Sequence, residues 1–127
     1  MAKKNKVAAE FDINKTDFSQ KSYEDLFNEF RNGKKTYQLQ LDYNYFLAFQ
    51  NNKKNLAVSN LKSFSKQPLS RYQKARIKML LADILVFDEK FNQALIYYSQ
   101  IQQEVKGDLL AQEARFKVAK TSYFNFD

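Results

Sequence analysis

Asp83 follows Leu81 and Ala82 in RYQKARIKMLLADILVF, where it is the only acidic residue. A carboxylate in so apolar a stretch can serve as an acid or base tuned by burial. It can equally be the counter-ion of a basic side chain on a neighbouring element, for which Arg76 and Lys120 are the candidates. The rest of the chain decides between these uses. There is no histidine, which removes the usual general base and imidazole ligand, and no cysteine, which removes thiolate chemistry and disulfides. Glycine occurs only at 33 and 107, so neither a dinucleotide-binding GxGxxG loop nor a Walker A loop can be written. Other acidic residues, such as Asp88 and Glu89, fall in a loop where solubility requires charge. The chain is therefore read as non-enzymatic, with no catalytic residues, no metal ligands and no cofactor, and Asp83 as half of an ion pair.

The elements that must position these residues are helices. Over 127 residues there are two Gly and one Pro against twelve Phe and eight Tyr, too little punctuation for an all-β fold. Residues 1–15 are polar and lysine-rich and are expected to be disordered. Tyr23, Leu26, Phe27 and Phe30 give an amphipathic helix over about Ser22–Asn32, with Gly33 as its stop. TYQLQLDYNYFLAFQ (36–50) alternates like a strand in its first half, but a lone strand has no partner here, so helix is the expectation. Asn55 is a candidate cap for a helix carrying Leu56, Ala57, Leu61 and Phe64, which SKQPLS ends at Pro68. A long helix from Tyr72 to Phe87 is apolar on more than one stripe. FNQALIYYSQI follows, with Phe91, Ala94, Leu95, Tyr98 and Ile101 on one face. A last helix begins near Asp108, with Phe116, Val118, Ala119, Tyr123 and Phe124 as its expected apolar face. No apolar run reaches the roughly 20 residues that a membrane span needs.

The formal charge of +7 is uneven. Residues 36–74 hold six basic side chains (Lys53, Lys54, Lys62, Lys66, Arg71, Lys74) against Asp42 alone, whereas residues 75–127 hold seven of each sign. A basic segment with Tyr45, Phe64 and Tyr72 as stacking partners is the feature a nucleic-acid reading would use. A solvated face explains the same charges, and nucleic acid is not the expected partner.

Spacings recur. Ala57 and Ala94, Leu61 and Tyr98, Phe64 and Ile101, and Ala82 and Ala119 are each 37 residues apart, and ARIK at 75–78 returns as ARFK at 114–117. With Leu81-Ala82 as an apolar–small pair, Leu85 in the usual Tyr position, then Phe91, Ala94, Tyr98 and Ile101 in order, the chain resembles the tetratricopeptide repeat (TPR) family. The resemblance covers about 90 residues. Residues 38–74 fit more loosely, with Tyr45 where a small residue belongs and Lys54 where an aromatic does.

The resemblance implies an all-α, right-handed solenoid of helical hairpins. It would comprise about two and a half degenerate units (about 37–71, 75–107 and an incomplete 109–127) in a domain over 16–127. It implies a protein-interaction scaffold whose concave groove is lined by Asp42, Phe46 and Phe49, then Arg76, Met79, Asp83 and Val86, then Glu113, Phe116, Lys120 and Tyr123. A peptide or protein is the expected partner. In repeat logic the last helix lacks its hairpin partner, so the chain reads as a fragment of a longer array, or as a self-associating module that dimerises through that helix. In style the sequence is similar to long TPR proteins of the Bacteroidetes type, which implies export or association with the cell envelope.

Overall fold

The computed structural model describes Asp25, Asn28 and residues 36–126, and all of its regular structure among them is helical. The disordered start over 1–15 and the stop at Gly33 lie outside the described residues. So does the helix over 22–32, apart from Asp25 and Asn28, both helical and exposed. The chain divides into two compact units, Met1–Leu61 and Lys62–Asp127.

In the first unit, α1 spans Tyr37–Phe49. Thr36 caps it, with its hydroxyl accepting from the Leu39 amide at 3.1 Å. The strand-like alternation dissolves because α1 buries Leu41, Tyr43, Asn44, Tyr45, Leu47 and Ala48, more than one stripe, so apolar residues are not confined to one helical face. Asn52 turns the chain with a positive φ of 56°, a conformation Asn tolerates better than most side chains. Helix α2, Lys54–Phe64, then begins two residues earlier than a cap at Asn55 would allow. It crosses the unit boundary and buries Ala57, Leu61 and Phe64. Within the first unit, buried Asn44 donates to the Gln40 carbonyl at 2.8 Å and accepts from Asn60 at 2.9 Å, tying α1 to α2.

The second unit packs three consecutive helices: α3 (Arg71–Phe87), α4 (Phe91–Glu104) and α5 (Leu109–Phe126). Helix α4 packs on both others and α3 also meets α5. Ser70 and Gln73 form a capping box, each side chain bonding the other's backbone amide at 3.0 Å, so α3 starts a residue before Tyr72. Residues 81–86 are all buried, as a helix covered on several sides requires. The α3–α4 turn has a Schellman pattern: the Lys90 amide reaches the Leu85 carbonyl at 2.8 Å and that of Glu89 reaches Val86 at 2.9 Å. Glu89 takes the left-handed position, φ 61°, that Gly usually fills. Gly107, φ 88°, breaks the chain between α4 and α5, and the Asp108 carboxylate caps α5 through the Leu110 amide at 2.8 Å.

Burial recurs with the 37-residue spacing on α2 and α4: Ala57 and Ala94, Leu61 and Tyr98, and Phe64 and Ile101 are all buried. It fails for Ala82 and Ala119, since Ala82 is buried and Ala119 exposed. The ARIK/ARFK offset holds instead, for it pairs buried Ala75 with Ala114, Ala82 with Thr121 and Leu85 with Phe124. The expected apolar face of the last helix is corrected accordingly. Phe124 is buried, but Val118 is half-buried and Phe116, Ala119 and Tyr123 face solvent. The packed stripe is Leu110, Ala111, Ala114, Lys117, Thr121 and Phe124. Small side chains let α5 approach closely, and the Phe124 ring stands 6.3 Å from that of Phe91.

In FNQALIYYSQI, Phe91, Ala94, Tyr98 and Ile101 are buried and Leu95 half-buried. Ala94 is wholly enclosed on the helix that touches both neighbours. Ala94→Leu should cost about 1–3 kcal/mol by overpacking, read as a lower urea midpoint at unchanged m-value. An unshifted midpoint would mean that Ala94 lies beside a void rather than in a close helix crossing.

Candidate functional site

Two features of the second unit stand out, one closed and one open. The closed feature is built around Asp83, whose carboxylate is buried at the middle of the three helices. The Lys117 ammonium on α5 donates to both of its oxygens at 3.0 Å, and the Tyr98 hydroxyl on α4 donates at 2.6 Å. Glu113, one turn before Lys117, places its outer carboxylate 3.0 Å from the same ammonium. Helices α3 and α4 thus contribute one group each and α5 two, and among the described residues no buried side-chain polar atom lacks a partner.

The sequence placed Asp83 correctly as half of an ion pair but named the wrong half. Lys117 holds it, not Arg76 or Lys120. The signal was available: Lys117 follows Ala114 by three and precedes Thr121 by four, on the buried stripe. Tyr98, expected only as part of an apolar face, is buried and also supplies a hydrogen bond.

Burial pushes the Asp83 carboxyl up from 3.8 to about 6, with the Lys117 charge and the hydrogen bonds from Tyr98 and Lys117 offsetting only part of the desolvation and the Glu113 charge adding a little. Burial, followed by the nearby Asp83 charge, likewise drives the Tyr98 phenol upward, so it stays a donor. A carboxyl raised in the folded state favours folding when it is protonated. That contribution is complete below 3.8 and is lost as pH rises through about 6. Thermal unfolding followed by circular dichroism should therefore show the native chain gaining on Asp83→Asn as pH falls from about 7 to about 4. Parallel profiles would mean that Asp83 titrates alike folded and unfolded.

The open feature is the solvent side of α5. Leu109, Phe116 and Tyr123 are 78%, 61% and 65% exposed, successive members of one line along the helix. The Lys120 ammonium lies 5.1 Å from the Phe116 ring centroid, a cation–π distance, and Glu113 stands on the same side.

The groove residues named by the resemblance fall into both units. In the first, Asp42, Phe46 and Phe49 are half-buried. Asp42 accepts from Gln38 at 2.8 Å, and the Phe49 ring stacks at 4.8 Å on Tyr45. In the second, Arg76 is half-buried, while Met79, Asp83 and Val86 are buried on a helix covered on several sides. Glu113 and Phe116 are exposed and Lys120 is half-buried, and these three the structure brings together on α5.

Of the aromatics in the basic segment, Phe64 and Tyr45 are buried, which leaves Tyr72 for stacking. Tyr72 borders a shallow cleft of about 540 Å³ that Arg71, Lys106 and Glu104 share, and Glu104 pairs with Lys78. Among the described residues no three acidic side chains gather as a metal would need, and no helix is long and apolar enough to cross a membrane. No family model, curated protein or solved structure matches this chain. Function has to be argued from the two features themselves.

Proposed function

We propose that this chain is a non-enzymatic, TPR-like helical-hairpin module that binds a protein partner through the solvent face of α5. The carrying observation is that Phe116 and Tyr123 are both more than half exposed on a helix whose opposite side does the packing. Two large aromatics one heptad apart, flanked by Glu113 and Lys120, offer what a docked peptide or helix uses: apolar anchors with charges beside them. The recurrence of burial at Ala57/Ala94, Leu61/Tyr98 and Phe64/Ile101 supports the repeat architecture, in which α3 and α5 are equivalent first helices. The closed Asp83 cluster supports the non-enzymatic reading, because Asp83, Tyr98 and Lys117 are each already engaged by a group on another helix.

A displayed library of random peptides, panned on the chain and on the Phe116→Ser/Tyr123→Ser variant in parallel, tests this. The expected result is a set of clones enriched on the native chain and lost on the variant. Enrichment indifferent to those two residues would place the binding surface elsewhere.

A further inference from the structure

The exposed face of α5 is patterned for another helix. Leu109, Phe116 and Tyr123 recur every seven residues, and Gln112 and Ala119 follow the first two by three, all of them exposed. These are the two seam positions of a heptad. Large and small alternate along the seam, and the flanking charges are of both signs: Asp108 and Arg115 on one side, Glu113 and Lys120 on the other.

We infer that the partner of this face is α5 of a second copy of the chain, lying antiparallel. The inference rests on the proposed reading of that face as a protein-binding surface and specifies its occupant. In an antiparallel pair, one seam position faces the other kind. Phe116 then covers Ala119 of the second copy and Tyr123 covers Gln112, so each ring meets a smaller side chain and can interdigitate. The same register sets Glu113 beside Lys120 of the second copy, and the twofold axis repeats the contact. A parallel pair would instead stack Phe116 on Phe116 and Tyr123 on Tyr123. It would also set Asp108 against Glu113 and Arg115 against Lys120, like charges at every flank. The charge pattern selects one orientation. A single helix pair is a small interface, so the dimer is reversible.

Sedimentation of the full chain over a dilution series tests the inference, with circular dichroism as the check on folding. The native chain should pass from monomer to dimer. Glu113→Lys and Lys120→Glu should each weaken self-association by about tenfold, since each turns both attractive contacts repulsive. An equimolar mixture of the two variants should regain the native affinity, because every flank contact between them is then opposite in sign. Where Glu113→Lys unfolds through loss of its contact with Lys117, the Lys120→Glu arm still decides. Tighter association of either variant would indicate the parallel pair and overturn the inference, as would a mixture no tighter than its components. A native chain that stays monomeric throughout also overturns it, yet leaves the peptide-binding reading standing if the library still selects on Phe116 and Tyr123. Loss of that selection as well would remove both.

Discussion

Lys117→Met should destabilise the second unit by about 3–5 kcal/mol at neutral pH, the cost of leaving a buried carboxylate without its counter-charge. The native site is only partly compensated. Lys117 gives Asp83 two hydrogen bonds and Tyr98 a third, yet burial still holds the carboxyl at about 6. Removing the ammonium takes away the largest opposing effect, and the side chain can then stay buried only by taking up a proton. The penalty should therefore shrink as pH falls to about 4, where Asp83 is protonated in any case.

Asp83→Leu combined with Lys117→Met should recover most of the loss, because two apolar side chains of similar volume need no compensation. The measurement is a double-mutant cycle from urea unfolding, run at neutral and acid pH. A double variant as unstable as the worse single variant would mean that the cluster holds the helices together through its geometry rather than merely tolerating burial. A Lys117→Met penalty independent of pH would show that packing of the lysine stem, not its charge, is what matters.

The helical class was legible because it rests on punctuation: a chain with two Gly and one Pro leaves long uninterrupted stretches, and all the regular structure among the described residues is helical. Helices α2 and α4 were legible residue by residue, since Ala57 and Ala94 with their apolar followers recur at fixed spacing and are buried alike. Helix starts were read less well. Ser70 and Gln73 carry the capping-box signature that fixes α3, whereas Asn55 resembles a cap but lies inside the first turn of α2.

The last helix was misread for a physical reason. Hydropathy alone assigns Phe116 and Tyr123 to the core and Lys117 to water, and the structure does the reverse. A lysine can cover apolar surface with its stem while its ammonium meets a buried carboxylate. The core-facing line is then Ala111, Ala114, Lys117 and Thr121, which no apolar scale would choose. Periodicity of small residues held the information; the largest aromatics obscured it. The same inversion creates the exposed face on which the proposed function stands.

Tyr98→Ala should cost about 3–5 kcal/mol, for it empties a fully buried ring site and strips Asp83 of a donor together. Tyr98→Phe separates the two effects. It keeps the ring and removes only the hydroxyl, which donates to a charged acceptor at 2.6 Å, so about 1.5–3 kcal/mol is expected at neutral pH. The remainder of the alanine penalty belongs to packing. The hydroxyl bond lowers the Asp83 carboxyl, so its removal should raise that titration further above about 6 and shift the acid gain in stability to higher pH. Urea midpoints for the two variants at several pH values check all three expectations. If Tyr98→Phe matched the native chain at every pH, the hydroxyl would contribute nothing net, and Tyr98 would be held in the core by ring volume alone. Because Leu61, its counterpart 37 residues earlier, carries no hydroxyl, that outcome would make the two positions physically equivalent. The expected outcome makes Tyr98 the point where a buried packing position also secures the charge of the neighbouring helix.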